Sequence, residues 1–109
     1  MKTNFRTLEL AKTLYKQCNS LSLKGAIRDQ LERASLSVYL NLAEGSGKLT
    51  LKDKNRFYGI ALGSLRETQA ILDLLDATAE MKLADNVGAS IWCLIRSQSA
   101  RLPAPAAAP

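Results

Sequence analysis

The sequence predicts an all-α protein, an antiparallel up-and-down bundle of four helices. Two observations carry this prediction: apolar residues recur every three or four positions along most of the chain, and no alternating strand pattern of useful length is present. The 109 residues are the size of one domain. We assign residues 1–102 to the bundle and residues 103–109, a stretch rich in alanine and proline, to a flexible tail.

The first half of the chain contains two predicted helices. Helix one is predicted over residues 4–19, with Asn4 as its N-cap, and helix two over residues 26–44. Gly45 is expected to end helix two in a left-handed conformation. The second half of helix two, residues 36–43, carries no charge. Since a helix that is apolar nearly all round is buried on more than one side, we expect one of its sides to face another subunit.

The second half of the chain contains a long helix and a shorter one. Helix three is predicted over residues 51–79, with Thr50 as an N-cap three residues before Asp53. Residues 81–84 are expected to be a connection, and helix four is predicted over residues 86–100.

The apolar pattern of helix three predicts which aromatic residues are buried. Phe57 and Ile60 are expected on the inner face, and Tyr58 is expected outside, where its ring could stack on a nucleic-acid base. Gly59 and Gly63 lie four residues apart, although glycine inside a helix costs about 1 kcal/mol relative to alanine. They therefore indicate that another backbone comes close to this side.

The residue types present argue against catalysis. Histidine, the commonest general base and metal ligand, is absent from the sequence. Cys18 and Cys93 stand in apolar stripes outside any Cys-x-x-Cys spacing, which predicts buried free thiols in preference to a disulfide or a metal site. The glycines before Lys48 lack the spacing of a phosphate loop. We expect no catalytic residue, no metal and no cofactor, and hence not an enzyme.

Charge points to a polyanionic partner. The formal net charge is +5 and the isoelectric point is about 9.5, which favours nucleic acid. The densest basic stretch surrounds the start of helix three, where free backbone N–H groups also attract anions. It consists of Lys48, Lys52, Lys54 and Arg56, which we predict to contact phosphates; the alternative is a solvated charged end. The next candidates are Lys12, Lys16, Arg28 and Arg33. Without an apolar signal core or a membrane-length apolar stretch, the expected location is cytoplasmic.

Two segments resemble a known family. Residues 30–45 follow the pattern Q-L-x-R-A-x-x-S-x-x-x-N-x-A-E-G, and residues 57–67 follow F-x-x-x-A-x-G-S-x-x-E. Both patterns, in this order, are similar to those of the four-helix-bundle proteins encoded within intervening sequences of bacterial 23S ribosomal RNA genes. The likeness spans residues 5–100.

The resemblance implies an assembly and a set of partners. It implies a homopentameric ring, related in fold to the accessory variability determinant of diversity-generating retroelements, a basic pentamer that binds a reverse transcriptase and nucleic acid. The matched polar residues Asn41, Glu44, Ser64 and Glu67 are expected to form a buried polar network that sets helix register. The expected function is therefore a homo-oligomeric binding protein for RNA, DNA or a reverse transcriptase. The alternative is a structural or protein-interaction bundle without a nucleic-acid role.

Overall fold

Four helices enclose one core. The computed structural model describes residues 2–100 of the chain, and the side chains of residues 4–97. The helices are α1 (Lys2–Asn19), α2 (Gly25–Ser46), α3 (Leu51–Leu74) and α4 (Thr78–Ala100), and no strand occurs in this part of the chain. Each helix packs against two neighbours: α1 against α2, α2 against α3, α3 against α4, and α4 against α1. The prediction of an all-α protein with four helices is confirmed; the predicted tail, residues 103–109, lies outside the described residues.

The boundary between α3 and α4 differs from the prediction. Helix α3 ends at Leu74, and α4 already begins at Thr78, so residues 81–84 are helical and are not a connection. Asp76 lies in the left-handed region with φ of 53°. The N–H of Asp76 donates to the carbonyl of Asp73, and the N–H of Ala77 donates to the carbonyl of Leu72. This pair of hydrogen bonds is a Schellman motif, which normally ends a helix at a glycine. Here an aspartate adopts the conformation, so the sequence carries no glycine to mark the end.

The end of α2 also differs. Gly45 is buried inside α2, which ends at Ser46, and the C-cap residue Gly47 has a right-handed φ of −89°. A Cβ on Gly45 would lie 2.8 Å from Cε1 of Tyr58, so this glycine allows α2 and α3 to approach closely. The predicted left-handed cap at Gly45 is therefore wrong. The predicted N-cap of α3 is confirmed, because the Asp53 N–H donates to the Thr50 hydroxyl over 3.1 Å.

The buried face of α3 differs from the prediction at its start, whereas the predicted Ala61, Leu65, Ile71 and Leu72 are buried. Tyr58 is fully buried, Phe57 is half-buried, and Ile60 is 43% exposed. The inner face instead follows a spacing of three and four residues through Tyr58, Ala61, Leu65, Thr68 and Leu72. The Tyr58 hydroxyl donates to Oδ1 of Asn4 over 3.2 Å, which ties the start of α1 to α3. Tyr58 is consequently unable to stack on a nucleic-acid base.

The two cysteines have different environments. Both are free thiols. Cys18 is buried, as predicted, and its burial raises the pKa of the thiol to about 11, with a smaller contribution from the Glu80 carboxylate. Cys93 is exposed, so the prediction that it is buried is wrong. Trp92, the residue before it, is 47% exposed, whereas Ile91 and Leu94 are buried, so Trp92 and Cys93 lie on the outward side of α4.

Candidate nucleic-acid interface

The predicted basic cluster lies at one end of the bundle. Lys48 precedes α3, and Lys52, Lys54 and Arg56 lie in its first two turns. The hydrogen bond between Tyr58 and Asn4 brings the start of α1 to the same end. The cations are therefore grouped on one end of the molecule and are not spread along a helix.

Two of the four cations are engaged within the protein. Lys54 Nζ donates to the backbone carbonyls of Ser46, over 3.0 Å, and Gly45, over 3.4 Å. It thus supplies a donor to the Ser46 carbonyl at the end of α2, whereas the Gly45 carbonyl also accepts from the backbone N–H of Lys48. Lys48 Nζ lies 3.1 Å from a Glu44 carboxylate oxygen. Lys52 and Arg56 are exposed. The structure therefore divides the predicted cluster into a capping lysine, an ion-paired lysine and two exposed cations.

Phe57 positions two of these cations. Arg56 Cζ lies 4.5 Å from the centroid of the Phe57 ring, and Lys48 Nζ lies 5.1 Å from it. Both distances are within the range of cation–π attraction. The half-buried ring therefore holds Lys48 and Arg56 close together, which sequence reasoning missed because it assigned Phe57 to the core.

The second set of candidate cations lies elsewhere. Lys12 is paired with Glu9 over 3.3 Å on α1. Lys16, Arg28 and Arg33 are exposed, on the last turn of α1 and the first half of α2. Arg28 precedes the end of α2 by 18 residues, which is about 27 Å of helix. The structure does not bring these residues together with the basic cluster.

The polar residues of the two motifs are only partly joined. Asn41 Nδ2 donates to the Ser37 carbonyl over 2.9 Å and to the Ser37 hydroxyl over 3.1 Å. The Ser37 and Ser64 hydroxyls are 2.7 Å apart, which links α2 to α3. Glu44 and Glu67 are exposed within the single chain, so the expectation that they are buried is wrong for it. Ser37 is the member of this chain of hydrogen bonds that sequence reasoning did not single out.

A family model matches most of the chain. The family described as 23S rRNA-intervening sequence protein matches residues 3–86. The chain belongs to this family. The matched span contains both polar motifs and the basic cluster, whereas Trp92 and Arg96 lie beyond it. No curated protein and no solved structure matches the chain.

Two further observations limit the chemistry of this intervening-sequence protein. Within residues 2–100, no three histidine, cysteine, aspartate or glutamate side chains are grouped so as to hold a metal ion. The helices described there are also not long and apolar enough to cross a membrane. The arrangement at the basic end can attract and hold an anionic ligand by charge and by side-chain hydrogen bonds.

Helices α2 and α3 expose two large apolar side chains and two glycines. Leu40 is 52% exposed and Ile60 is 43% exposed. Gly59 and Gly63 are exposed, and a Cβ at either position would meet no atom within 4 Å. Neither glycine is therefore required by packing inside the chain. We call Leu40, Gly59, Ile60 and Gly63 the outer face.

Proposed function

We propose that this protein is a homo-oligomeric, non-enzymatic binding protein that contacts nucleic acid through the basic end of its bundle. The observation that carries the proposal is the pair of exposed cations, Lys52 and Arg56, at the start of α3, with Lys48 held beside them over the Phe57 ring. The net charge of +5 adds a long-range attraction for polyanions.

Contact of this kind is directed at phosphates. Arginine offers several N–H donors in a planar fork that fits a phosphate, and lysine acts as a compact point charge. The positive end of the α3 dipole lies at the same place and adds to the attraction. Phosphate contacts carry no sequence information by themselves. We therefore expect binding with little sequence preference and a strong dependence on salt.

We also propose that the helices run up and down in antiparallel order. Two contacts between α2 and α3 support it: Ser37 meets Ser64, and Ser46 meets Lys54. The residue number rises on α2 while it falls on α3, which is the pattern of antiparallel neighbours.

Assembly into a closed ring, with five subunits as the number implied by the resemblance, is the second part of the proposal. Exposed apolar side chains grouped on one side of a protein are typical of interfaces, and the outer face supplies such a group. A ring would repeat the basic end once per subunit, and multivalent contact increases avidity without any new type of contact. A reverse transcriptase is a further partner that the resemblance suggests for the same basic end. The alternative is a bundle that binds only other proteins through the outer face.

The test is fluorescence anisotropy with labelled single-stranded and duplex oligonucleotides over a salt series. The test variant changes Lys48, Lys52 and Arg56 to glutamine and keeps Lys54, because Lys54 caps α2. The control changes Lys16, Lys24 and Arg28 to glutamine, which removes the same charge from exposed positions at the other end of α2. Each lost phosphate contact reduces the slope of log affinity against log salt by about 0.9 on duplex and about 0.7 on single strands.

The two variants are expected to differ. The test variant should lose most of its affinity and slope, and the control should keep the slope of the wild type. An equal loss of affinity and slope in both variants would show that net charge alone accounts for binding. No binding by the wild type at low salt would reject the nucleic-acid function and leave the protein-interaction alternative.

A further inference from the structure

Trp92 lies at the seam between α3 and α4. Gln69 Nε2 donates to Oδ1 of Asp85 over 2.9 Å, and a Cβ on Gly88 would lie 3.1 Å from Cδ2 of Leu65. Seven residues, or about two helical turns, separate Asp85 from Trp92, so both lie on the same side of α4. Leu62 precedes Gln69 by seven residues and so lies on the same side of α3; it is half-buried. Trp92 is therefore placed beside Leu62, and its indole is 47% exposed.

Two arginines lie on either side of Trp92 along the seam. Arg66 follows Leu62 by one turn on α3, and Arg96 follows Trp92 by one turn on α4. Asp85 of α4 lies beside Gln69 of α3, and Gly88 lies beside Leu65, so the two helices run in opposite directions at this seam. One turn forward from Leu62 on α3 and one turn forward from Trp92 on α4 therefore lead in opposite directions along the bundle. The two positions are therefore about 12 Å apart along the bundle axis. Both arginines are exposed.

The electrostatics of the seam favour an anion. The nearest carboxylate on this side of α4 is Asp85, about 10 Å from Trp92 along the helix, and it accepts a hydrogen bond from Gln69. In the other direction, α3 leads from Leu62 back to Lys52 at the start of the helix, about 15 Å along the axis. A ligand lying in the seam would pass from Arg66 over the indole to Arg96 and on towards the basic end.

We propose that Trp92, with Arg66 and Arg96, forms a platform on which single-stranded nucleic acid stacks a base. An exposed aromatic ring between cations is the combination that single-strand-binding proteins use, since every base has a π-face and every nucleotide a phosphate. The bases of a duplex are stacked on one another and are not available to the indole. This proposal rests on the proposed nucleic-acid function and adds to it a preference for single strands and the residues responsible.

The chain has one tryptophan, so fluorescence excited at the long-wavelength edge of its absorption, where the three tyrosines do not absorb, reports on Trp92 alone. We expect oligothymidylate or oligouridylate of about 16 nucleotides to quench this fluorescence, and a duplex of the same length to leave it nearly unchanged. Anisotropy with the same oligonucleotides in labelled form measures affinity independently of quenching. Trp92→Ala should weaken single-strand binding by about five- to hundredfold and duplex binding by less than twofold, and Trp92→Phe should retain most of the affinity.

Leu74→Ala is the matched control, because Leu74 is an apolar residue that is 76% exposed at the other end of α3. This variant should change neither the single-strand affinity nor the duplex affinity. Single-strand binding by anisotropy without quenching would overturn the platform and leave the proposed function intact. An equal loss of single-strand and duplex affinity in Trp92→Ala would also overturn it. A drop in the mass of the assembly in Trp92→Phe would show that Trp92 contacts a second subunit instead. Absence of any binding by the wild type would overturn both proposals.

Discussion

Replacing Gly59 and Gly63 together by alanine separates the stability of one chain from the stability of an assembly. Both glycines lie inside the 24-residue helix α3, and a Cβ at either position meets nothing within 4 Å. Alanine is more favourable than glycine inside a helix by about 0.5–1 kcal/mol. The double variant should therefore stabilise the single chain by about 1–2 kcal/mol, which for a domain of this size corresponds to roughly 4–8 °C in Tm per kcal/mol.

The expected result for the assembly has the opposite sign. If a second copy packs on the outer face, two added methyl groups prevent its close approach and weaken association. Urea unfolding followed by circular dichroism over a series of protein concentrations gives the stability of the chain, and light scattering on the same samples gives its mass. Gly45→Ala is the contrast: its Cβ would meet the buried Tyr58 ring at 2.8 Å, so overpacking of about 1–3 kcal/mol offsets or exceeds the helical gain. A double variant that unfolds more readily than the wild type at unchanged mass would refute this reasoning.

Three further predictions concern single contacts. Tyr58→Phe removes the hydrogen bond to Asn4 and should lower the free energy of unfolding by about 0.5–1.5 kcal/mol in urea denaturation, with Asn4→Ala giving no additional loss in the double variant. Lys54→Met keeps the alkyl chain but leaves the Ser46 carbonyl without its donor, while the Gly45 carbonyl keeps the Lys48 N–H; it should cost about 1 kcal/mol, whereas Lys52→Met should stay within about 0.5 kcal/mol of the wild type. A thiol reagent at pH 8 should modify Cys93 and spare Cys18 until the protein is denatured. Because the folded state raises the pKa of Cys18 from 9.0 to about 11, this thiol contributes stability below pH 9 that is lost as the pH rises towards 11. Burial also raises the pKa of Tyr58, so the Cys18→Ala change in a Cys93→Ser background should reduce the loss of stability over that range, and an equal loss with and without Cys18 would contradict the prediction.

The fold class could be predicted from the sequence because apolar spacing and helix signals agree over α1, α2 and the start of α3. The turn between α3 and α4 could not be predicted from the sequence. Its left-handed residue is Asp76, and aspartate is only one of several polar residues that adopt this conformation, so residues 81–84 were expected to form a connection. The burial of Tyr58 in place of Phe57 was missed for a different reason. Three apolar residues, at positions 57, 58 and 60, offer adjacent faces to the core, and the choice depends on the space that Gly45 leaves on the neighbouring helix.

In the candidate site, too, contacts between helices could not be predicted from the sequence. The position of the basic cluster could be predicted, since a charge pattern along one helix is visible in the sequence. Its internal contacts could not, because Lys54 reaches carbonyls on α2 and Lys48 pairs with a residue before the turn. The exposure of Trp92 could not be predicted either, since its neighbours on α4 are apolar; only the packing of α3 and α4 shows that the indole is half-exposed. The exposure of Cys93 was missed on the same helix for the same reason.

The most direct test of the central proposal is sedimentation velocity of a fluorescently labelled single-stranded oligonucleotide with the full-length protein at low salt. We predict that the label sediments with protein in a complex several times heavier than the 11.9 kDa chain, and that the Lys48, Lys52 and Arg56 glutamine variant releases the label while keeping its own mass. A label that sediments as free oligonucleotide, or a protein that sediments as a monomer at micromolar concentration, would contradict the account.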